Sequence, residues 1–159
     1  MVGFQQNGLE RFAGPGHWND PDCLIVGVGD LDVNENRTHM GLWCILAAPL
    51  LTTADLRKIS AESLAILTNS EVIAVDQDRA GIQGHRIAEE GPLEVWMKPL
   101  ADGSKAIGLF NRGDTSLPMR LCFGDAGLPP TVRLRDLWAK KDLGSLRRAS
   151  QRMCPGMEW

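Results

Sequence analysis

Tyrosine is absent from this 159-residue chain, and phenylalanine and tryptophan together raise the aromatic share to only 6%. Basic residues do not predominate: 17 Lys+Arg stand against 20 Asp+Glu, a formal net charge of −3. With no cationic excess to neutralise phosphates, nucleic-acid binding is not expected. No apolar run approaches the ~18 residues of a membrane-spanning helix, so no membrane partner is expected. The four cysteines, Cys23, Cys44, Cys122 and Cys154, form no CxxC pair and have no histidine at zinc-ligand spacing, which argues against a metal site. They read as small buried or pocket-lining thiols, although an even count permits disulfides. His17, His39 and His85 lie far apart, and no Ser/His/Asp or Cys/His arrangement can be read from their spacing. Each is expected to be a satisfied structural histidine. The opening residues Met1 to Asn7 lack the charged and apolar regions of a signal peptide, and the sequence assigns no compartment.

The remaining composition, 43% hydrophobic and 23% charged, is that of an ordinary globular chain. At this length one compact domain would bury roughly 68–70% of its unfolded surface. The first half reads as helix and strand. Apolar positions Met40, Trp43, Cys44 and Ala47 recur at i, i+3, i+4 and i+7, which predicts a helix from about Asn36 to Ala48, ended by Pro49. Leu50 to Thr53 is short and apolar enough for a buried parallel strand, and Ser60 reads as the N-cap of a helix from Ala61 to Asn69. This order is that of α/β architecture. After Gly84 the period changes to two. Leu93 to Lys98 and Lys105 to Phe110 read as strands joined by a hairpin loop with the Asp102-Gly103 signal, and Pro118 to Phe123 and Val132 to Leu137 are further strand candidates. Short strands at this spacing suggest an antiparallel sandwich.

The densest chemistry lies in Gly14-Pro15-Gly16-His17-Trp18-Asn19-Asp20-Pro21-Asp22. Carboxylates accept directed hydrogen bonds from sugar hydroxyls, and an indole face packs on the C–H surface of a sugar ring. Asp20 and Asp22, two apart, could act as a glycosidase acid and nucleophile. Asn-Asp-Pro-Asp is also ordinary turn chemistry, and on composition alone that plainer reading is favoured. Other signals fall short. Asp30 to Asn34 resembles the start of a calcium loop, but Glu35 stands where that loop needs glycine and Gly41 where it needs glutamate. Gly27-Val28-Gly29 lacks the third glycine of a dinucleotide fingerprint, so no cofactor is expected. Asn36-Arg37-Thr38 matches a glycosylation sequon, meaningful only in a secreted eukaryotic protein.

Ala13 to Asp22 (AGPGHWNDPD), Thr38 to Leu51 (THMGLWCILAAPLL), Ala54 to Ser60 (ADLRKIS), Glu71 to Asp78 (EVIAVDQD), Glu94 to Leu100 (EVWMKPL) and Arg135 to Trp138 (RDLW) together resemble the melibiase family of α-galactosidases, glycoside hydrolase family 27. The resemblance spans about residues 9 to 146. It implies the last two strand-helix units of a (β/α)8 TIM barrel over 1–80 and an antiparallel β-sandwich over 85–146; the atypical, arginine-rich tail over 147–159 departs from the family and reads as a shifted reading frame or a truncated gene. Strand seven is expected near Leu9 to Trp18 and strand eight at Leu50 to Thr53.

The family hydrolyses terminal α-galactosides with retention, through an aspartate nucleophile after strand four and an aspartic acid/base after strand six. Both precede the matched segments, so the resemblance implies no catalytic residue in this chain and no turnover by it alone. Asp22 and Cys23 are implied as substrate-binding residues at the C-terminal face of the barrel, with an α-galactoside as their partner. Many members have methionine where Cys23 stands. Trp18, Asn19 and Asp20 are implied as supports of that loop. An N-acetylgalactosaminide preference stays open within the family, as does a non-catalytic carbohydrate-binding or assembly role.

Overall fold

A computed structural model of the chain describes residues 1–147 and the backbone of a short strand at 156–157. Two compact units result: Met1–His85 with Met97–Gly108, and Arg86–Trp96 with the described residues from Leu109 onward.

The first unit is built around helix α1, Val33–Leu46. It begins three residues before the expected start because Asp32 and Glu35 form a capping box. Glu35 N donates to Asp32 Oδ1 and Asp32 N to Glu35 Oε2, both at 2.8 Å, satisfying two orphan donors at once. The acidic run that resembles a calcium loop therefore starts a helix. The expected stripe of Met40, Trp43, Cys44 and Ala47 is buried, and Leu42, Ile45 and Leu46 are buried with it. Ala47 closes the helix in the left-handed region at φ 53°. Asn36 is buried within α1, donating to Leu31 O and accepting from Gly27 N. The sequon is thus closed to a glycan in this fold.

The expected helix over Ala61 to Asn69 forms, and a second short helix follows it. Helix α2, Ala61–Leu67, is capped by Ser60 as expected, and helix α3, Ser70–Asp76, by Asn69. The break falls at Asn69, whose side-chain oxygen accepts from Glu71 N and Val72 N and so starts a new helix. The buried strand expected at Leu50–Thr53 is reduced to a single parallel bridge, Leu24 to Thr52, with Leu24 N donating to Leu51 O (2.7 Å) and Thr53 N to Leu24 O (3.1 Å), and Leu51 is 61% exposed. The strand expected over Leu9 to Trp18 does not form. Glu10–Phe12 is a 3-10 turn, and Gly14 and His17 bond each other across the Pro15-Gly16 turn.

Strands β1 (His85–Glu90), β2 (Leu93–Pro99) and β3 (Lys105–Asn111) form a sheet in the order β1-β2-β3. The connector into it runs close to the helices. A Cβ at Gly84 would lie 2.9 Å from the carbonyl oxygens of both Ile45 and Met97, so only glycine fits there. In the second unit, β4 (Met119–Arg120) pairs antiparallel with β7 (Gly156–Met157). There too, β5 (Thr131–Asp136) pairs antiparallel with β6 (Lys141–Arg147), with a bulge at Leu134/Arg135. Strand β6 was not expected from the sequence: it is exposed at every residue but Leu146, so burial writes no alternation into it, whereas the expected β5 alternates exposed and half-buried residues. Residues 148–155 and 158–159, most of the atypical tail, lie outside the described residues. Cys122 is disulfide-bonded, correcting the reading of four thiols; Cys23 and Cys44 are free.

Candidate active site

The segment Trp18 to Gly27 is irregular, and side chains tie it down at almost every residue. Asn19 donates to Leu9 O and to Gln83 Oε1, each at 2.8 Å. Gln83, buried in the connector before β1, passes the tie on by donating to Gln6 O. Trp18 keeps 44% of its surface exposed, and its ring packs on Gly81, where a Cβ would approach Trp18 to 2.9 Å. Asp20 Oδ1 accepts from Asp22 N at 2.9 Å, the turn role that composition suggested.

Asp22 lies at φ +83°, a region that non-glycine residues occupy only where their surroundings hold them. One carboxylate oxygen accepts from Cys23 N at 2.7 Å, and its carbonyl accepts from Trp43 Nε1 at 2.9 Å. The carboxylate is exposed. Cys23 is half-buried, and burial together with the neighbouring Asp22 and Asp20 carboxylates pushes its thiol pKa up. It therefore stays an apolar, protonated surface at neutral pH rather than a thiolate nucleophile. Chemically, the pair offers an acceptor for hydroxyls beside a small soft contact.

Sequence reasoning missed the residues that hold this segment from behind. His39 was expected to be a satisfied structural histidine. Its Nε2 accepts from Ile25 N at 3.3 Å, but its buried Nδ1 has no hydrogen-bond partner among the described residues. Burial pulls its pKa down to about 4, so the ring is neutral at pH 7. Two clefts in this unit, of about 330 and 300 Å³, are lined by other residues; Trp18 lines the second, and neither reaches Asp22 or Cys23. Among the described residues no group of three or more His, Cys, Asp or Glu could hold a metal ion.

The elements and motifs above have close counterparts. A family model described as alpha galactosidase A matches residues 1–78, and one described as the alpha galactosidase C-terminal beta sandwich domain matches 90–153. An α-galactosidase of Oryza sativa subsp. japonica is 40% identical over 146 residues, covering 91% of this chain and 35% of that protein. An α-N-acetylgalactosaminidase of Homo sapiens is 47% identical over 116 residues, covering 72% of this chain and 28% of that one. The crystal structure of α-galactosidase I from Mortierella vinacea superposes with a TM-score of 0.79 at 33% identity, over 84% of this chain and 36% of that one. Part of a (β/α)8 barrel followed by a β-sandwich is therefore the architecture, a glycoside-hydrolase arrangement. The chain belongs to glycoside hydrolase family 27, the melibiase family of α-galactosidases. It spans about a third of the length of the curated relatives it matches.

Proposed function

We propose that this chain carries the galactose-gripping end of a retaining α-galactosidase and does not turn over substrate by itself. The observation that supports this most is Asp22, an exposed carboxylate held at positive φ by Asp20 below it, Cys23 beside it and Trp43 behind it. Rigid presentation of an acceptor is what recognition of sugar hydroxyls requires. In the assembled enzyme Asp22 accepts hydrogen bonds from the sugar, Cys23 packs against it, and Trp18, Asn19 and Asp20 hold the loop. The nucleophile and the acid/base that protonates the leaving oxygen belong to other strands. By resemblance Asp20 and Asp22 match a different strand from those two aspartates, and Asp20 Oδ1 serves the turn by accepting from Asp22 N.

An aryl α-galactoside assay on the chain alone tests this reading, with no release above buffer expected. Release abolished by Asp20→Asn or Asp22→Asn would overturn it. Titration calorimetry with galactose separates the non-catalytic alternative, since saturable binding by the isolated chain would favour a carbohydrate-binding module. Relatives named for α-galactosidase and for α-N-acetylgalactosaminidase are both about 40–47% identical, so overall identity favours neither a 2-hydroxyl nor a 2-acetamido substrate.

A further inference from the structure

The backbone from Asp22 to Gly27 is held along two sides. On one side Leu24 bonds the strand at 51–53 through both its N–H and its C=O. Ile25 N–H points away from that strand, as alternation along an extended segment requires. No second strand receives it among the described residues. A face of α1 takes that place instead. Gly27 N donates to Asn36 Oδ1 (3.0 Å), Ile25 N to His39 Nε2 (3.3 Å), and Trp43 Nε1 to Asp22 O (2.9 Å). Positions 36, 39 and 43 fall at i, i+3 and i+7, a single helix face. His39 and Trp43 also stack, with ring centroids 3.9 Å apart and planes at 27°. Each ring therefore fixes the other's orientation, and the acceptor on one and the donor on the other address backbone groups three residues apart.

We propose that Asn36, His39 and Trp43 are positioning residues for the sugar-facing pair Asp22 and Cys23, one face of α1 holding the segment in the conformation that presents them. The proposal rests on the reading of Asp22 and Cys23 as sugar contacts. With Nε2 accepting from Ile25 N, it places the single ring proton of neutral His39 on the buried Nδ1, against the Cys23 backbone group that also meets the ring. It also gives Cys23 a second use, as a built-in reporter of the loop beside Cys44, which is buried on α1 itself.

The test uses the chain as it is. Long-range proton–nitrogen correlation at pH 7 reads the His39 tautomer. A proton on Nδ1 is expected, and a proton on Nε2 would overturn the proposal. Thiol labelling with peptide mapping then compares Cys23 with Cys44. In His39→Leu and Trp43→Phe the Cys23 rate is expected to rise at least about fivefold through local opening while Cys44 stays protected. His39→Gln, whose amide oxygen can accept from Ile25 N, is expected to stay within about twofold of the parent rate. An unchanged Cys23 rate in folded variants, or Cys23 and Cys44 labelling in parallel, would assign these side chains to general packing and defeat the proposal. If the leucine and phenylalanine variants do not fold, the tautomer and His39→Gln decide it. These readouts contain no sugar. Failure of Asp22 to contact galactose, scored in the assembled enzyme, is therefore a separate result from failure of the α1 face to hold the loop.

Discussion

Strand β2 buries a carboxylate at Glu94 and an ammonium at Lys98, and the chain accommodates the two charges differently. Glu94, 1% exposed, is met by three donors. Arg112 Nη1 lies 2.6 Å from Oε1, Trp96 Nε1 lies 2.8 Å from Oε2, and Arg86 Nη1 lies 3.4 Å from Oε2. Lys98, fully buried, donates instead to two main-chain carbonyls, Cys44 O near the end of α1 (3.1 Å) and Asp76 O at the end of α3 (3.2 Å). Helix C-termini carry partial negative charge, so a cation there satisfies carbonyls that the helices leave open. The nearby Asp76 carboxylate has one buried oxygen without a hydrogen bond, and burial raises its pKa to about 6 against the pull of Lys98. Lys98 itself is lowered, chiefly by burial. One charge is fully neutralised by opposite charge; the other is held mainly by dipoles.

The largest expected effect follows from that contrast. Glu94→Ala removes the buried carboxylate that the Trp96 indole and the Arg112 guanidinium share, while Arg86 keeps Glu89 at 2.9 Å, and removing one partner of a buried charge set costs about 3–5 kcal/mol. Lys98→Met removes a desolvated cation along with its hydrogen bonds, fills similar volume, and is expected to cost about 1–3 kcal/mol. Urea denaturation of both variants measures the difference. Equal losses would show that the two charges are held alike after all.

A pH series sharpens the same contrast through Asp76 and His39. A carboxyl whose pKa rises from 3.8 to about 6 on folding binds its proton more tightly in the native state, so its contribution to stability falls as pH rises from about 3.8 to 6. His39 runs the other way. Its pKa falls from 6.5 to about 4 on folding, the unfolded chain binds more protons in that window, and stability rises with pH between the two values. The two slopes oppose each other in the parent chain. Asp76→Asn should expose the rising limb and His39→Gln the falling one, each about 2 kcal/mol after screening. Urea midpoints between pH 4 and 6.5 report both, and parallel slopes in the two variants would refute the assignment.

The sequence hides this pair for a physical reason. Alternation in Leu93-Glu94-Val95-Trp96-Met97-Lys98 puts Glu94, Trp96 and Lys98 on one face, and two charges make that face look like the solvated one. It is in fact the more deeply buried face, since Leu93 and Met97 are only half-buried. Helix α1 was legible because its apolar stripe is local, and the β2–β3 hairpin because Asp102-Gly103 is turn chemistry within four residues. The support of Asp22 was not legible: Ile25 to His39 and Asp22 to Trp43 are separated by 14 and 21 positions. No short-range pattern records such contacts. The candidate site residues come from motif resemblance, and the structure adds which hydrogen bonds hold the turn. Strand seven was misplaced because the Gly14-Pro15-Gly16 turn interrupts the stretch where it was expected, and the parallel contact falls at Leu24.

The smallest effect tests the exposed end of the comparison. On the β5–β6 ribbon Arg135 Nη1 meets Asp142 Oδ1 at 3.2 Å, but the two side chains are 41% and 66% exposed. Water screens this pair, and ordering two long side chains offsets most of the attraction. Asp142→Asn is expected to change stability by less than about 0.5 kcal/mol, and by less again at high salt. Because the pair flanks the bulge at Leu134/Arg135, a larger loss would mean that the ion pair fixes the ribbon's register. Amide exchange at Leu134 and Gly144 separates those outcomes: protection unchanged in the variant leaves register to the backbone ladder, whereas faster exchange confined to these residues assigns it to the surface charge.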